Sequence, residues 1–454
     1  MRIAVAVCAL DGMQSLYTGV GVVVRSFVRQ AEHILTEAFA DTGHIWTLSC
    51  ASGSLLDDAV NLRADLRAAT RRACAHSGGT FTQLPSLTDG SDAANLFVGP
   101  DPSRPVDQWA ALSTAAADWL LDLAAEHDVV LALLHDTPFA AVAGRLSDLD
   151  DTAGNDPSPR TRAADRIMPV WVPHSLGVVF PDEMSAQRRE FEARGVADLI
   201  ERDGCVGYVS DYYANVLAGW EGMRQRHLVP FHNVIDTAAY QRPPSEQALA
   251  VLRKIPADAR LTFSWGRCQP QKGFDALLDA FRGVLAARPD DRDHLLLVAP
   301  TATTEPSYLE TVSGLISRLP AERVTVCHDF DETLPFAALR DSRLDTVVLA
   351  SRFEAFGLVA AEALEFAHPA ARIVHSPIPT FETVLGGDPR AVRLAGVNSE
   401  SIAAALLDES RPVSRTTVAK QGPERDDSGA AFVHTQAKGV RACLDLALDR
   451  GAVR

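Results

Sequence analysis

Glu354 and Glu362 frame the segment EAFGLVAAE in an E-x7-E spacing, with Gly357 between them. The β-branched and apolar run from Thr346 to Ala350 predicts a buried parallel strand, and Leu358 to Phe366 predicts a helix. A helix that starts at a glycine offers free N–H groups and close backbone approach, which suits an anion such as phosphate. Glu362 falls about one turn into that helix, roughly 7 Å from its start at about 1.5 Å per residue. Carboxylates repel phosphate and suit hydroxyls, so a diphosphate flanked by a sugar and a ribose would satisfy the whole set. The same residues also fit a plain helix with one solvated glutamate and one acid near the dipole, so the choice falls to other segments.

The segment GRCQPQKG, residues 266 to 273, places Arg267 and Lys272 between Gly266 and Gly273 after a predicted strand, Leu261 to Trp265. One forked and one compact cation on an open loop fit a diphosphate. In the first half, Val129 to His135 reads as a strand ending in HDTP, which sets His135, Asp136 and Pro138 at the edge where ligands bind in open parallel sheets. Gly19 and Gly21 begin a predicted helix, where backbone N–H groups could meet a phosphate. Their context, GVGVVV, is not GxGxxG, which supports a nicotinamide site only weakly.

These residues need a frame, and 454 residues suffice for two domains with full cores. The 43 Lys and Arg against 59 Asp and Glu give a net charge of −16, which argues against nucleic acid or an anionic membrane as the main partner. No apolar run reaches the length of a membrane helix, and MRIAVAVCAL reads as a first strand, so a cytoplasmic protein is expected. Seven cysteines without a CxxC pair read as reduced core thiols.

Strands are predicted at 3–10, 44–50, 129–135, 167–174, 205–210 and 227–235, with helices at 22–35, 112–125 and 212–220. Residues 147–165, rich in Asp, Gly, Pro and Ser, read as a polar loop, and PPSEQ, residues 243–247, as the domain linker. The alternation then restarts, with strands at 261–265, 294–300, 323–327, 346–350 and 372–376. Helices are expected at 274–288, 308–319, 334–341 and 358–366, and a closing helix at 430–448. Two βαβ-type domains follow, 1–240 and 241–429, with 430–454 returning to the first.

In this order, the Gly-rich first loop, HDTP, GRCQPQKG and above all EAFGLVAAE resemble the retaining glycosyltransferases of the family-4 type. VPFHNVIDTAAY is similar to the segment ending that family's first domain, and VPHSLG resembles its sucrose-synthesising members. The resemblance implies a GT-B α/β fold, two facing Rossmann-like domains with the donor in the interdomain cleft. It further implies that Arg267 and Lys272 bind the donor diphosphate, that Glu354 contacts the transferred sugar and that Glu362 holds the ribose. Backbone N–H groups of Phe356, Gly357, Leu358 and Val359 would meet sugar or phosphate, His135 would face the sugar, and Gly19 to Gly21 would approach the phosphate. The base would lie near residues 327–330, where CHDF departs from the family's pattern, as SPIPTFE does after residue 376.

The implied function is retaining transfer of a sugar from a GDP- or UDP-sugar to a small soluble acceptor. The acceptor class covers sugars, cyclitols, small thiols and aminoglycoside-like or lincosamide-like natural products. No metal or further cofactor is expected, and a homo-oligomer stays open. The rival readings are a sugar-nucleotide-binding pseudoenzyme and a metal-dependent transferase built on Asp329 and Asp331, with Asp148 and Asp150 as a second such spacing.

Overall fold

The strand Val129–His135, sequence VVLALLH, is buried at every position, as a strand covered on both faces must be. The computed structural model describes residues 1–16, 18–53, 62–85, 104–151, 158–179, 186–301, 304–329, 331–408 and 429–450. The chain divides into two units, Met1–Val234 with Ala430–Arg454, and Ile235–Gly429.

In the first unit β1 (Arg2–Ala9), β2 (Ile45–Ser52), β3 (Phe81–Gln83), β4 (Val129–His135), β5 (Ile167–Val172), β6 (Cys205–Tyr208) and β7 (Leu228–Pro230) form one parallel sheet. Its order is β3-β2-β1-β4-β5-β6-β7. The second unit holds β8 (Arg260–Trp265), β9 (Asp293–Val298), β10 (Val324–Cys327), β11 (Leu344–Leu349), β12 (Arg372–His375) and β13 (Ala391–Arg393), also parallel, in the order β10-β9-β8-β11-β12-β13. Both are Rossmann-like. In each, the first strand is central and the order reverses beside it, at β1/β4 and at β8/β11. Crevices outside the carboxyl ends of such strand pairs are where open α/β sheets bind ligands.

Alternation along the strands builds a core on each face of the second sheet. Phe263, Trp265, Val347 and Leu349 pack with Leu334 and Phe381 on one side. Leu295, Leu297 and Val348 pack with Phe274, Leu277 and Phe281 on the other. Each fully buried side chain of this size contributes about 1.5–3 kcal/mol.

Several elements differ from the sequence expectation. The helix expected at 22–35 is two, Gly19–Arg29 and Ala31–Ala38, because Gln30 leaves helical geometry between them. Part of the expected loop at 147–165 is helical: Val142–Asp151 runs into it, and Pro159–Ala164 starts at Ser158, whose Oγ accepts from the Thr161 N–H. Residues 152–157 lie outside the described residues. The strand expected at 167–174 stops at Val172, before Pro173. The strand expected at 227–235 shrinks to three residues on the sheet edge, ending at Pro230, which has no N–H to pair.

The unit boundary lies at Val234/Ile235 and not at 240/241. Tyr240 already packs in the second unit, 4.2 Å from the Phe336 ring and 5.3 Å from that of Phe366, centroid to centroid. PPSEQ is therefore no linker. Its Ser245 caps the helix Glu246–Arg253, accepting from the Ala248 N–H at 2.9 Å.

The helix Ala430–Asp449 packs in the first unit, and Gly439 is what lets it approach β7. A Cβ there would stand 2.6 Å from the Pro230 carbonyl oxygen and 3.0 Å from the Phe231 ring. Gly→Ala inside an open helix stabilises by about 1 kcal/mol. Here Gly439→Ala is expected to destabilise by about 1–3 kcal/mol, through overpacking against a backbone oxygen that cannot move away cheaply. A urea-unfolding midpoint above that of the native protein would contradict this packing.

Candidate active site

The second unit's candidate residues meet at the β8/β11 crevice. After β8 the chain turns through Gly266, at φ +145°, and a short 3-10 turn, Pro270–Lys272, into Gly273, at φ +65°. A Cβ on Gly273 would lie 2.2 Å from the Ala350 carbonyl oxygen, so this left-handed position also requires the absence of a side chain. The loop is stapled to the end of β11 by Arg352. Its N–H donates to the Gln271 carbonyl at 2.7 Å, its guanidinium reaches the Pro270 carbonyl, and a forked pair joins it to Asp275 at 2.7 and 3.1 Å.

Lys272 Nζ thereby forms an ion pair with Glu354 Oε1, with side chains only 10% and 14% exposed. Ser351 Oγ donates to the same oxygen at 2.8 Å, and Thr380 Oγ1 donates to the Glu354 carbonyl at 2.7 Å. Gly357, at φ +77°, then starts the helix Leu358–Phe366, and its missing Cβ leaves room for the Phe381 ring. No side chain caps this helix, and its first turn carries no acid. Among the described residues no side chain accepts from the first N–H groups, around Phe356, Gly357, Leu358 and Val359, and such groups suit an anion. Arg267 shares the loop with Lys272 and is half-buried.

Glu362 lies deeper, at 8% exposure. Its carboxylate accepts from Trp265 Nε1 at 3.1 Å and from the Tyr240 hydroxyl at 3.4 Å. Burial pushes its carboxyl up to about 7, against the opposing pull of those two donors and of Lys272. Tyr240, Trp265, Ser351, Arg352 and Thr380 carry no motif that sequence reasoning could recognise. All but Ser351, which bonds to the neighbouring Glu354, act through a partner distant in the chain.

Near the expected base site, Cys327 ends β10, the His328 ring contacts the Ala299 carbonyl at 3.3 Å, and Phe330 lies outside the described residues. Asp331, one half of the DxD spacing, is a cap. Its Oδ1 accepts from the Thr333 N–H and hydroxyl and the Leu334 N–H, and its Oδ2 from the Ser245 hydroxyl.

His135, Gly19 and Gly21 belong to the first unit, at the carboxyl edge of β4 and β1. The helix expected to begin at Gly19 and Gly21 has internal acceptors at its start. The Gly21 N–H donates to Thr18 Oγ1 at 3.1 Å, and the Thr18 N–H and hydroxyl donate to Asp11 Oδ2 at 2.7 and 2.9 Å. A Cβ on Gly21 would stand 2.3 Å from that oxygen. The buried Asp11 carboxylate thus supplies the anion at this N-terminus.

At the end of β4, His135 Nδ1 and His174 Nε2 lie 2.9 Å apart, with the rings stacked at 22°. Asp136 follows at φ 72°, ψ 177°, a region that glycine alone adopts freely. Hydrogen bonds to its carboxylate and its backbone hold it there. Its Oδ1 accepts from the N–H groups of His174 and Ser175 and from the Ser175 hydroxyl, and its carbonyl accepts from Trp171 Nε1. Beneath them Arg188 and Glu192, 1% and 0% exposed, pair at 2.7 Å and reach Thr137, Ser175 and Gly177.

Comparison with known proteins bears on the second site. Residues 251–407, which include Arg267, Lys272, Glu354 and Glu362, match the family model of glycosyl transferases group 1. A mannosylfructose-phosphate synthase of Agrobacterium fabrum (strain C58 / ATCC 33970) is 25% identical over 51% of this chain and 52% of its own length. A D-inositol 3-phosphate glycosyltransferase of Kineococcus radiotolerans is 28% identical over 48% of this chain and 52% of its own. The chain thus matches about half the length of these relatives. In fold it resembles the sucrose-phosphate synthase of Thermosynechococcus elongatus, with a TM-score of 0.59 at 17% identity over 99% of this chain and 97% of the other. It also resembles an alpha,alpha-trehalose-phosphate synthase (UDP-forming) of Burkholderia vietnamiensis, at 0.57 and 16% over 100% and 98%.

The raised Glu362 carboxyl has a stability consequence of definite sign. Its folded value of about 7 exceeds the ordinary 4.5, so its contribution is full below pH 4.5 and is lost as pH rises through about 7. Glu362→Gln is expected to remove that decline, which amounts to about 3 kcal/mol at about 1.4 kcal/mol per pH unit. Urea unfolding of both proteins at pH 4.5 and pH 8 measures it. Parallel losses in the two proteins would refute the assignment.

Proposed function

We propose that this protein is a retaining glycosyltransferase that moves a sugar from a nucleoside diphosphate sugar to a small soluble acceptor. The observation that carries this reading is the uncapped helix start at Gly357 beside the Lys272–Glu354 pair, inside the region matched by the group 1 glycosyl transferase model. In the free site the two charges neutralise each other. An arriving donor separates them, with Lys272 and Arg267 turning to the diphosphate and Glu354 to the sugar hydroxyls. Glu362, already held by Trp265 and Tyr240, accepts from the ribose.

During transfer the bond between the anomeric carbon and the diphosphate oxygen breaks, and a bond to the acceptor hydroxyl oxygen forms on the same face. The acceptor proton goes to the departing diphosphate. The developing negative charge is stabilised by Arg267, Lys272 and the helix N-terminus, electrostatic work that requires no protein nucleophile. His135 serves substrate hydroxyls from the first unit. The names of the two curated relatives support a polyhydroxy acceptor, and the UDP-forming synthase supports UDP as one donor base beside GDP. Natural-product sugars and cyclitols fall in that acceptor class. A metal site at the DxD spacing is disfavoured, since four donors already occupy the Asp331 carboxylate.

Purified protein incubated with UDP- and GDP-sugars and a panel of polyols is expected to release nucleoside diphosphate and form a glycoside, resolved by mass spectrometry and anomeric NMR. Lys272→Ala and Glu354→Ala are each expected to lower turnover by about 10²–10³-fold while circular dichroism stays unchanged. Near-native turnover in both would remove this site from the mechanism, and an inverted product would remove the same-face step.

A further inference from the structure

The His135–His174 pair is buried in the first unit, at 4% and 7% exposure. His135 Nε2 is enclosed without a hydrogen-bond partner among the described residues. Burial, and secondarily His174, holds the His135 imidazole well below its ordinary range, and burial alone brings His174 down to about 3. Both rings are therefore neutral near pH 7.

Two neutral imidazoles carry two protons on four nitrogens. The facing nitrogens, His135 Nδ1 and His174 Nε2, must share one proton to bond at 2.9 Å. The second then sits either on His135 Nε2 or on His174 Nδ1. If His135 Nδ1–H donates, His135 Nε2 is a bare acceptor and His174 carries its proton on Nδ1. If His174 Nε2–H donates, His135 Nε2 becomes an N–H donor. Shifting the tautomers of both rings reverses the polarity of His135 Nε2 without creating a charge.

We infer that His174 is a positioning residue that couples to His135 and makes its Nε2 a hydroxyl-binding point able to act as donor or acceptor. Resting on the functional reading above, the inference assigns a neutral sugar hydroxyl as the ligand group, since a hydroxyl both donates and accepts and an imidazole pair kept neutral gives no advantage to an anion. The local frame is built for this. Asp136, Ser175, Arg188 and Glu192 form a satisfied network under the two loops, which fixes the His174 backbone through its N–H bond to Asp136 Oδ1 at 3.3 Å. A trapped water offers the same O–H chemistry as a sugar, and the experiment separates the two.

The full chain, labelled with ¹⁵N-histidine, is examined at pH 7.5 by long-range ¹H–¹⁵N spectroscopy, as native protein, His174→Phe and His174→Gln. The free native protein is expected to show both rings neutral, and His174→Phe to change the tautomer of His135. His174→Gln keeps a polar group where Nε2 stood and is expected to restore the native His135 pattern in part. A His135 spectrum indifferent to His174→Phe overturns the coupling.

Calorimetry then compares UDP with UDP-glucose and GDP with GDP-glucose. His174→Phe should leave the nucleoside diphosphate affinity unchanged and weaken the matching nucleotide sugar about tenfold, the equivalent of one lost hydrogen bond, with partial recovery in His174→Gln. If the nucleotide sugar binds and the His135 resonances do not move, the occupant is water and the assignment of a sugar hydroxyl fails. If native protein binds none of the four compounds, the donor reading falls, and the spectra of the free proteins still decide the coupling.

Discussion

An α-helix begins with N–H groups that its own backbone cannot satisfy, and the two units meet that constraint in opposite ways. In the first unit Asp11 and Thr18 fill the N-terminus of Gly19–Arg29 with internal acceptors. In the second, the helix Leu358–Phe366 starts at Gly357 without a side-chain cap, and the nearby Glu354 is held by Lys272 instead. One helix start is closed by the protein's own carboxylate, and at the other no side chain among the described residues caps the helix. The first helix follows β1 and the second follows β11, in sheets whose first six strands share one order.

The residues around the start at Gly357 are held by contacts between segments far apart in the chain. Arg352 ties the end of β11 to the loop after β8, Thr380 holds the Glu354 backbone, and Trp265 and Tyr240 hold Glu362. The first unit invests differently. Its buried Arg188–Glu192 pair adds little net stability by itself, but together with Asp136 it fixes the loops that carry His135 and His174. The strained backbone of Asp136 survives because hydrogen bonds to its carboxylate and its backbone over-determine it.

Strand and helix types were legible in the sequence wherever the apolar run was long and unambiguous. VVLALLH and LVAAEALEF have the same bounds in the structure as in the expectation. Expectation failed where composition outweighed contacts. PPSEQ looked like a linker because Pro and Ser break elements, yet Ser245 is a helix cap bonded to Asp331. Residues 158–164 looked like loop because they are polar, yet Ser158 and Pro159 are a helix start.

By itself the sequence determined the α/β class, the alternation that makes parallel sheets, and the cations and carboxylates at strand ends, since these depend on residue type and local period. Only the tertiary structure decided which of those groups are already occupied. Gly21 is closed by Asp11, Asp331 is consumed as a cap, Lys272 and Glu354 hold each other, and His135 acquires His174 as a partner. For Lys272, Glu354 and His135 the occupying neighbour is brought by folding from tens of residues away, and no local pattern encodes that distance.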